Sequence, residues 1–167
     1  MKLRLAQIGD LVAINDIYNR EVETTATTFD TEPMSAEARE RWLAEHQSDT
    51  HPVVVAESDS GEVMGWAALS SWSQRYAYAR AAEVSIYIGE RHRKKGVGRA
   101  MLGELIARAK AAGLGVLLAR IADHSEASLA LHCSVGFRSI GTMRRVGEKF
   151  GRILDVELMD LHLDEDG

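Results

Sequence analysis

A single cysteine, Cys133, stands in a chain of 167 residues. One thiol makes neither an intrachain disulfide nor a cysteine metal cluster, and a reducing cytoplasm suits it. Only two prolines occur, with no low-complexity stretch, so no flexible linker is expected. Long apolar runs are missing: nothing approaches the ~20 residues of a membrane span. Met1 to Ala6 lacks the apolar core of a secretory signal. The six histidines show no close paired spacing, so no metal site is expected. The formal charge of -5 argues against general nucleic-acid binding. What is there is an ordinary soluble composition, 46% hydrophobic and 27% charged. A length of this order is expected to fold as one domain over residues 1–167.

Against the acidic background one stretch is basic. Arg91, Arg93, Lys94, Lys95 and Arg99 crowd around Gly96 and Gly98. A strand pattern, Ala82 to Ile88, precedes them and a helix pattern, Gly96 to Ala112, follows. Unpaired N–H groups and the helix dipole make such an entry a place for phosphate, and glycine lets an anion approach the backbone. The spacing fits neither a Walker loop nor a dinucleotide fingerprint.

The rest of the chain supplies a frame. Leu3 to Ile8 alternates as a strand, and Asp10 is placed to cap a helix that carries Leu11, Ile14, Ile17 and Tyr18 and ends near Val22. The loop from Glu23 to Pro33, with its threonines and Phe29, either lines a small polar pocket or is a solvated connection. Ser35 opens a second helix, and Asp59-Ser60-Gly61 turns a hairpin between the strands Val53–Ala56 and Glu62–Trp72. The loop Ser73 to Arg80 holds Arg75, Tyr76, Tyr78 and Arg80, which either clamp a carboxylate or form an exposed basic loop. Val116 to Ala122 is a buried strand, parallel to Ala82–Ile88 across a right-handed crossover. A helix capped by Ser125 or Asp123 ends at Gly136. Strands Phe137–Met143 and Ile153–Met159 finish the chain, joined by Arg144 to Arg152. The order β-α-α-β-β-β-α-β-α-β-β predicts an α/β protein with a central mixed, mostly antiparallel sheet and helices on both faces.

Period two puts Glu83, Ser85 and Tyr87 on one face of the central strand and Val84, Ile86 and Ile88 on the other. A glutamate in so apolar a strand is costly unless it is paired, solvated or functional. A salt bridge to Arg75 or Arg80 is one reading; a working carboxylate is the other.

The basic turn, Arg93-x-x-Gly96-x-Gly98, together with Ala127-Ser128-Leu129-Ala130-Leu131-His132-x-x-x-Gly136-Phe137, resembles the GNAT superfamily of acyl-CoA-dependent N-acetyltransferases over nearly the whole chain. The resemblance implies acetyl-CoA as co-substrate. It implies that the turn of Arg93, Lys94, Lys95, Gly96, Val97, Gly98 and Arg99 binds the diphosphate. It also implies that the backbone of Ile86, Tyr87 and Ile88 holds the pantetheine arm as an added strand, with Ser125 and Ser134 at the carrier. More narrowly, Thr24-Thr25-Ala26, Phe29, Arg75, Tyr78, Glu83-Val84-Ser85-Ile86-Tyr87, Leu131-His132 and Gly147-x-Lys149-Phe150-Gly151-x-x-x-Asp155 look like the phosphinothricin and methionine sulfoximine acetyltransferase branch. That branch acetylates the α-amine of small glutamate-like amino acids, and the likeness suggests a homodimer. Ser125 stands where the superfamily usually has asparagine, and His132 where many members carry tyrosine.

Amide formation from an amine and a thioester needs a base for the ammonium, a donor for the oxyanion and a proton for the thiolate. Glu83 is the candidate base, acting through a water, with partial burial beside Ala82 and Val84 making it a better proton acceptor. A backbone N–H near Ile86 is the candidate oxyanion donor. His132 is a candidate acid for the thiolate or a second base. Arg75 and Tyr78 are assigned to the substrate carboxylate, Tyr76 and Ala77 to substrate binding beside them, Ser85 and Tyr87 to the amino-acid pocket, and Phe29 to its far end. Lys149 and Phe150 contribute a wall, across a dimer interface on the family resemblance. Two rivals stand: a peptide N-terminus, a ribosomal alanine or an aminoglycoside as acceptor, or a module that binds acyl-CoA without catalysis.

Overall fold

The computed structural model describes residues 1–164. Short alternating and β-branched runs become seven strands. They are β1 (Lys2–Leu5), β2 (Val53–Glu57), β3 (Val63–Ser71), β4 (Ala81–Ile88), β5 (Val116–Ala122), β6 (Arg138–Lys149) and β7 (Arg152–His162). Four α-helices lie between them: α1 (Leu11–Thr24), α2 (Ala36–Glu45), α3 (Val97–Ala111) and α4 (Glu126–Cys133). The strands make one sheet in the order β1-β2-β3-β4-β5-β7-β6. Every neighbouring pair is antiparallel except β4 with β5, the parallel crossover expected from the sequence.

Helices cover both faces because the inner strands are apolar on both. On one side Ile14, Tyr18 and Val22 of α1 and Leu43 of α2 pack on Val53, Val55, Trp66 and Ala68. On the other, Met101, Leu102, Leu105 and Ala109 of α3 pack on Val54, Ala67, Leu69, Val84 and Leu117, with Leu129 and Leu131 of α4 beside them. Ser35 caps α2 by accepting from the Ala38 N–H at 3.1 Å. Ser125, rather than Asp123, caps α4, accepting from the Ser128 N–H at 3.4 Å. Asp10 takes the N-cap position of α1 but makes no cap bond. Its carboxylate accepts instead from Arg4 at 2.7 and 2.9 Å and from the Gln7 N–H at 2.8 Å, and the Arg4 bonds hold it below the usual carboxylate range.

The segment expected to join the last two strands is itself sheet. β6 and β7 run on to a tight turn at Phe150-Gly151, with register shifts between Ser139 and Gly141 and between Met143 and Gly147. The bulged Arg145 has a left-handed φ of 57° and donates its N–H to Asp155 at 2.7 Å. Mostly exposed and interrupted by bulges, β6 carries no period-two signal past Met143 for a sequence pattern to find.

One feature of register opens the molecule. β4 pairs with β5 only from Ala81↔Val116 to Glu83↔Leu118. It stays paired with β3 as far as Gly65↔Ile88, while β5 stays with β7 as far as Ala122↔Val156. Beyond Glu83 the two parallel strands therefore part, and the Val84–Ile88 edge of β4 faces a cleft. None of the helices of the described residues is long and apolar enough to cross a membrane.

Candidate active site

The cleft has a volume of about 1120 Å³ and runs from the basic turn, past β4 and α4, to the loop after α1. At its mouth, β4 leads through a 3₁₀ turn (Glu90–His92) into α3. Lys94 and Gly96 take left-handed backbone, φ 59° and 81°, just ahead of the first helical turn. Such a turn lines up N–H groups where the helix dipole is positive. Arg93, Lys94, Gly96, Gly98 and Arg99 all line the cleft. Lys95 is exposed and outside the lining, and the Val97 side chain is buried in the core under α3. Gly98 is small for a packing reason as well: a Cβ there would come within 2.9 Å of Leu131 Cδ2. Arg93 donates to the Ile88 carbonyl at 3.1 Å and pairs with the buried Glu21.

Along the middle, Ile86, Tyr87 and Ile88 present the unpaired strand edge. Tyr87 packs against Trp66 and edge-on to Tyr18, with ring centroids 4.9 and 5.1 Å away. Burial pushes the Tyr87 phenol up to about 12 and raises that of Tyr18 too. Beneath them Arg39, 1% exposed, lies over Trp42, Tyr18 and Trp66 at 4.6, 4.7 and 5.3 Å. Its Nε donates to Asn15 at 3.1 Å, and burial lowers its pKa. The result is a fixed aromatic floor.

From α4, Ser125, Ser128 and His132 face the same space. His132 is 2% exposed, and its Nδ1 lies 2.8 Å from the Ser128 carbonyl. A carbonyl only accepts, so Nδ1 carries the hydrogen and Nε2 keeps a lone pair. Nε2 is buried with no hydrogen-bond partner among the described residues. Burial lowers the pKa of the ring, partly offset by the Ser128 bond, so the imidazole is neutral at pH 7. Ser134 is elsewhere: its hydroxyl donates to the Leu131 carbonyl at 2.7 Å, outside the lining.

Glu83 stands where β4 and β5 part. Its partner is neither Arg75 nor Arg80 but Arg120 on β5, whose Nε donates to Oε1 at 2.7 Å and whose Nη2 reaches Oε2. The bond to Glu83 raises the pKa of Arg120. Arg80 pairs with Asp164 and lies over Gly115. Arg120 is the functional candidate that the sequence reading passed over. The signal was present, a charge within Val116 to Ala122, and the reasoning that singled out Glu83 applies to it equally.

The far end joins the first loop to the β6–β7 arm. Phe29 lines the cleft with its ring against Gly147, where an added Cβ would fall 2.5 Å from Cζ. Lys149, 4% exposed, donates to the Thr28 carbonyl at 2.9 Å, and burial lowers its pKa. Ser85 lines the cleft, and Phe150 is 58% exposed. Arg75, Tyr76, Ala77 and Tyr78 lie outside the lining. They form an exposed 3₁₀ turn, closed by the Tyr78 N–H donating to the Arg75 carbonyl at 2.9 Å. Among the described residues no group of three or more His, Cys, Asp and Glu is placed to hold a metal.

The cleft suits an extended carrier that ends in phosphates: a free strand edge along its side, cations and turn amides at one end, and a carboxylate at the other. The comparisons agree. The family model described as Acetyltransferase (GNAT) domain matches residues 3–158. An L-methionine sulfoximine/L-methionine sulfone acetyltransferase of Pseudomonas paraeruginosa is 37% identical over 97% of this chain and 94% of its own. A phosphinothricin acetyltransferase from Sinorhizobium meliloti, solved in complex with AcCoA, superposes with a TM-score of 0.94 at 35% identity, covering 97% of this chain and 88% of that one. A ribosomal-protein-alanine N-acetyltransferase from Brucella melitensis also gives 0.94, at 37% identity over 98% and 100%.

Proposed function

Because the chain belongs to the GNAT acetyltransferases, an acyltransferase family, we propose that it moves the acetyl group of acetyl-CoA to the α-amine of a small glutamate-like amino acid. Methionine sulfoximine, methionine sulfone and phosphinothricin are the acceptors of choice, after the names of its relatives. The observation that carries this reading is Glu83, a carboxylate at the point where β4 and β5 separate, on the α1–α2 side of the sheet with Tyr87 and Ser85.

Acetyl-CoA supplies the acyl group as an activated thioester. The amides of Lys94 to Arg99 and the cations beside them hold its diphosphate, and the edge of β4 from Ile86 to Ile88 aligns its arm. Glu83 takes the proton of the ammonium through a water, and an N–H near Ile86 serves the oxyanion. His132 rests neutral with a lone pair on Nε2, so it serves as the second base: it takes the remaining nitrogen proton of the tetrahedral intermediate and passes it to the CoA sulfur as the C–S bond breaks. Phe29, Ser85 and Tyr87 shape the amino-acid pocket, and Lys149 braces its loop. Residues 1–167 are read as one domain in a cytoplasmic protein.

A homodimer is part of the proposal. Ile140, Phe150 and Ile153 are exposed apolar side chains on the β6–β7 arm, and a second copy packed on the arm would bring Phe150 to an interface. Sedimentation at micromolar concentration tests this, a monomer refuting it.

The acceptor is tested by thiol release from acetyl-CoA with methionine sulfoximine, methionine sulfone, phosphinothricin and an alanine-terminated peptide. Turnover of the amino acids and not the peptide is expected. The reverse preference would support the second reading, a peptide acceptor, which the likeness to the Brucella melitensis enzyme favours. Tight binding of CoA with no amine turned over would leave only a binding module.

A further inference from the structure

We propose that Arg120 is a specificity-determining residue that holds the acceptor's α-carboxylate and sets its amine beside Glu83. This rests on the amino-acid acceptor proposed above.

Arginine has five N–H donors in a planar fork, and a side-on pair through Nε and Nη2 uses two of them. Arg120 spends those two on Glu83. The outer edge, formed by Nη1 and the second Nη2 hydrogen, remains to serve another carboxylate in the same plane. The side chain is 51% exposed and lines the cleft, so that edge is open to a ligand. Trp72 steadies the guanidinium, whose carbon lies 5.3 Å from the ring centroid.

Position makes the assignment specific. Three other cations that line the cleft, Arg93, Lys94 and Arg99, are at the basic turn, where the carrier's phosphates would occupy them. Lys149 is buried and given to Thr28, while Arg75 lies on the exposed 3₁₀ turn outside the lining. At the Glu83 end the lining cation is Arg120. An α-amino acid carries its carboxylate and its amine on one carbon. A guanidinium that grips the first and is bonded to the base therefore fixes the distance between the base and the second. An amine without a carboxylate gains nothing from that edge.

The test compares L-methionine sulfone with its decarboxylated amine, in steady state at saturating acetyl-CoA, for the full chain and for Arg120→Met and Arg120→Lys. The unaltered enzyme should prefer the amino acid in kcat/KM. In Arg120→Met the ratio of the two kcat/KM values should fall about tenfold to hundredfold, carried mainly by the KM of the amino acid. Arg120→Lys, which keeps the charge but not the fork, should fall between. A ratio unchanged in a folded Arg120→Met protein, or an equal loss on both acceptors, would overturn the assignment. Should Arg120→Met fail to fold, Arg120→Lys decides on the same ratio. If the unaltered chain acetylates neither compound but turns over the peptide, the amino-acid reading fails first and this inference with it.

Discussion

Replacing Gly147 with alanine should damage acceptor binding from a position that touches no substrate. Gly147 has ordinary backbone, so the methyl brings no strain of its own. It brings an overlap: the new Cβ would lie 2.5 Å from Phe29 Cζ and 3.0 Å from Cδ2. Comfortable carbon contacts begin near 3.5 Å, so the ring must swing away by about an ångström. Phe29 cannot move alone, since Thr28 beside it is tied to Lys149. Overpacking of this kind costs about 1–3 kcal/mol. In a chain of this size each kcal/mol shifts Tm by about 2–4 °C, so thermal melting should drop by a few degrees. The displaced ring also lines the cleft, where the proposed function makes it a wall of the amino-acid pocket. Losing one aromatic contact, about 0.5–1.5 kcal/mol, should raise the acceptor KM about twofold to tenfold. The KM for acetyl-CoA should stay put, because the basic turn is at the other end of the cleft. A lowered Tm with an unchanged acceptor KM would show that Phe29 is only a structural plug. Equal rises in both KM values would point to a general loosening and refute the argument.

Three further outcomes follow from the same geometry. Glu83→Gln should lower kcat by about 10²–10⁴ while calorimetry finds acetyl-CoA affinity little changed; equal losses in both would remove Glu83 from the base role. Gly96→Ala forces a side chain into the left-handed region at φ 81°, at about 1–2 kcal/mol, and should weaken acetyl-CoA binding in the same assay; unchanged affinity would separate the turn from the diphosphate. His132 is held neutral, so an unfolded chain takes up its proton first as the pH falls below about 6.5. Its contribution to stability is therefore complete above that pH and is lost as the pH falls toward the lowered value in the fold. Urea titrations should show His132→Gln with a flatter decline between pH 7 and 5, and an identical slope would contradict the burial argument.

The parts of this fold that could be read from sequence are those where burial writes a pattern. β4, the basic turn and α3 follow one another within the expected limits because apolar period and glycine punctuation agree there. The helices opened by Ser35 and Ser125 begin where a short hydroxyl side chain can cap them. Asp10 misled because a capping residue type can be claimed by a stronger partner, here Arg4. The β6–β7 arm was cut short because exposed, bulged strands lack alternation. Glu83 drew notice as a charge in an apolar strand, yet its mate across the parallel register did not. Sequence spacing says nothing about which residue of β5 lies near Glu83, and Arg75 and Arg80 were nearer along the chain. The same limit hides the place of the Arg75–Tyr78 loop, whose chemistry suits a carboxylate but whose turn lies on the exposed surface of the chain.

Glu21 explains why the two ends of the cleft hold together. A carboxylate only 7% exposed is costly without partners. Its partners come from both ends: Arg93 of the basic turn and the hydroxyls of Thr25 and Thr27, each donating at 3.3 Å. The same loop then passes through Thr28, held by Lys149, to Phe29 on Gly147. A chain of contacts thus runs from the basic turn, through one buried acid, to Phe29, the proposed wall of the acceptor pocket. Loss of either end would strip the buried acid of one of its two sets of partners. On the proposed function, the spacing between the carrier's phosphates and the amine would therefore be set by the fold before either substrate arrives.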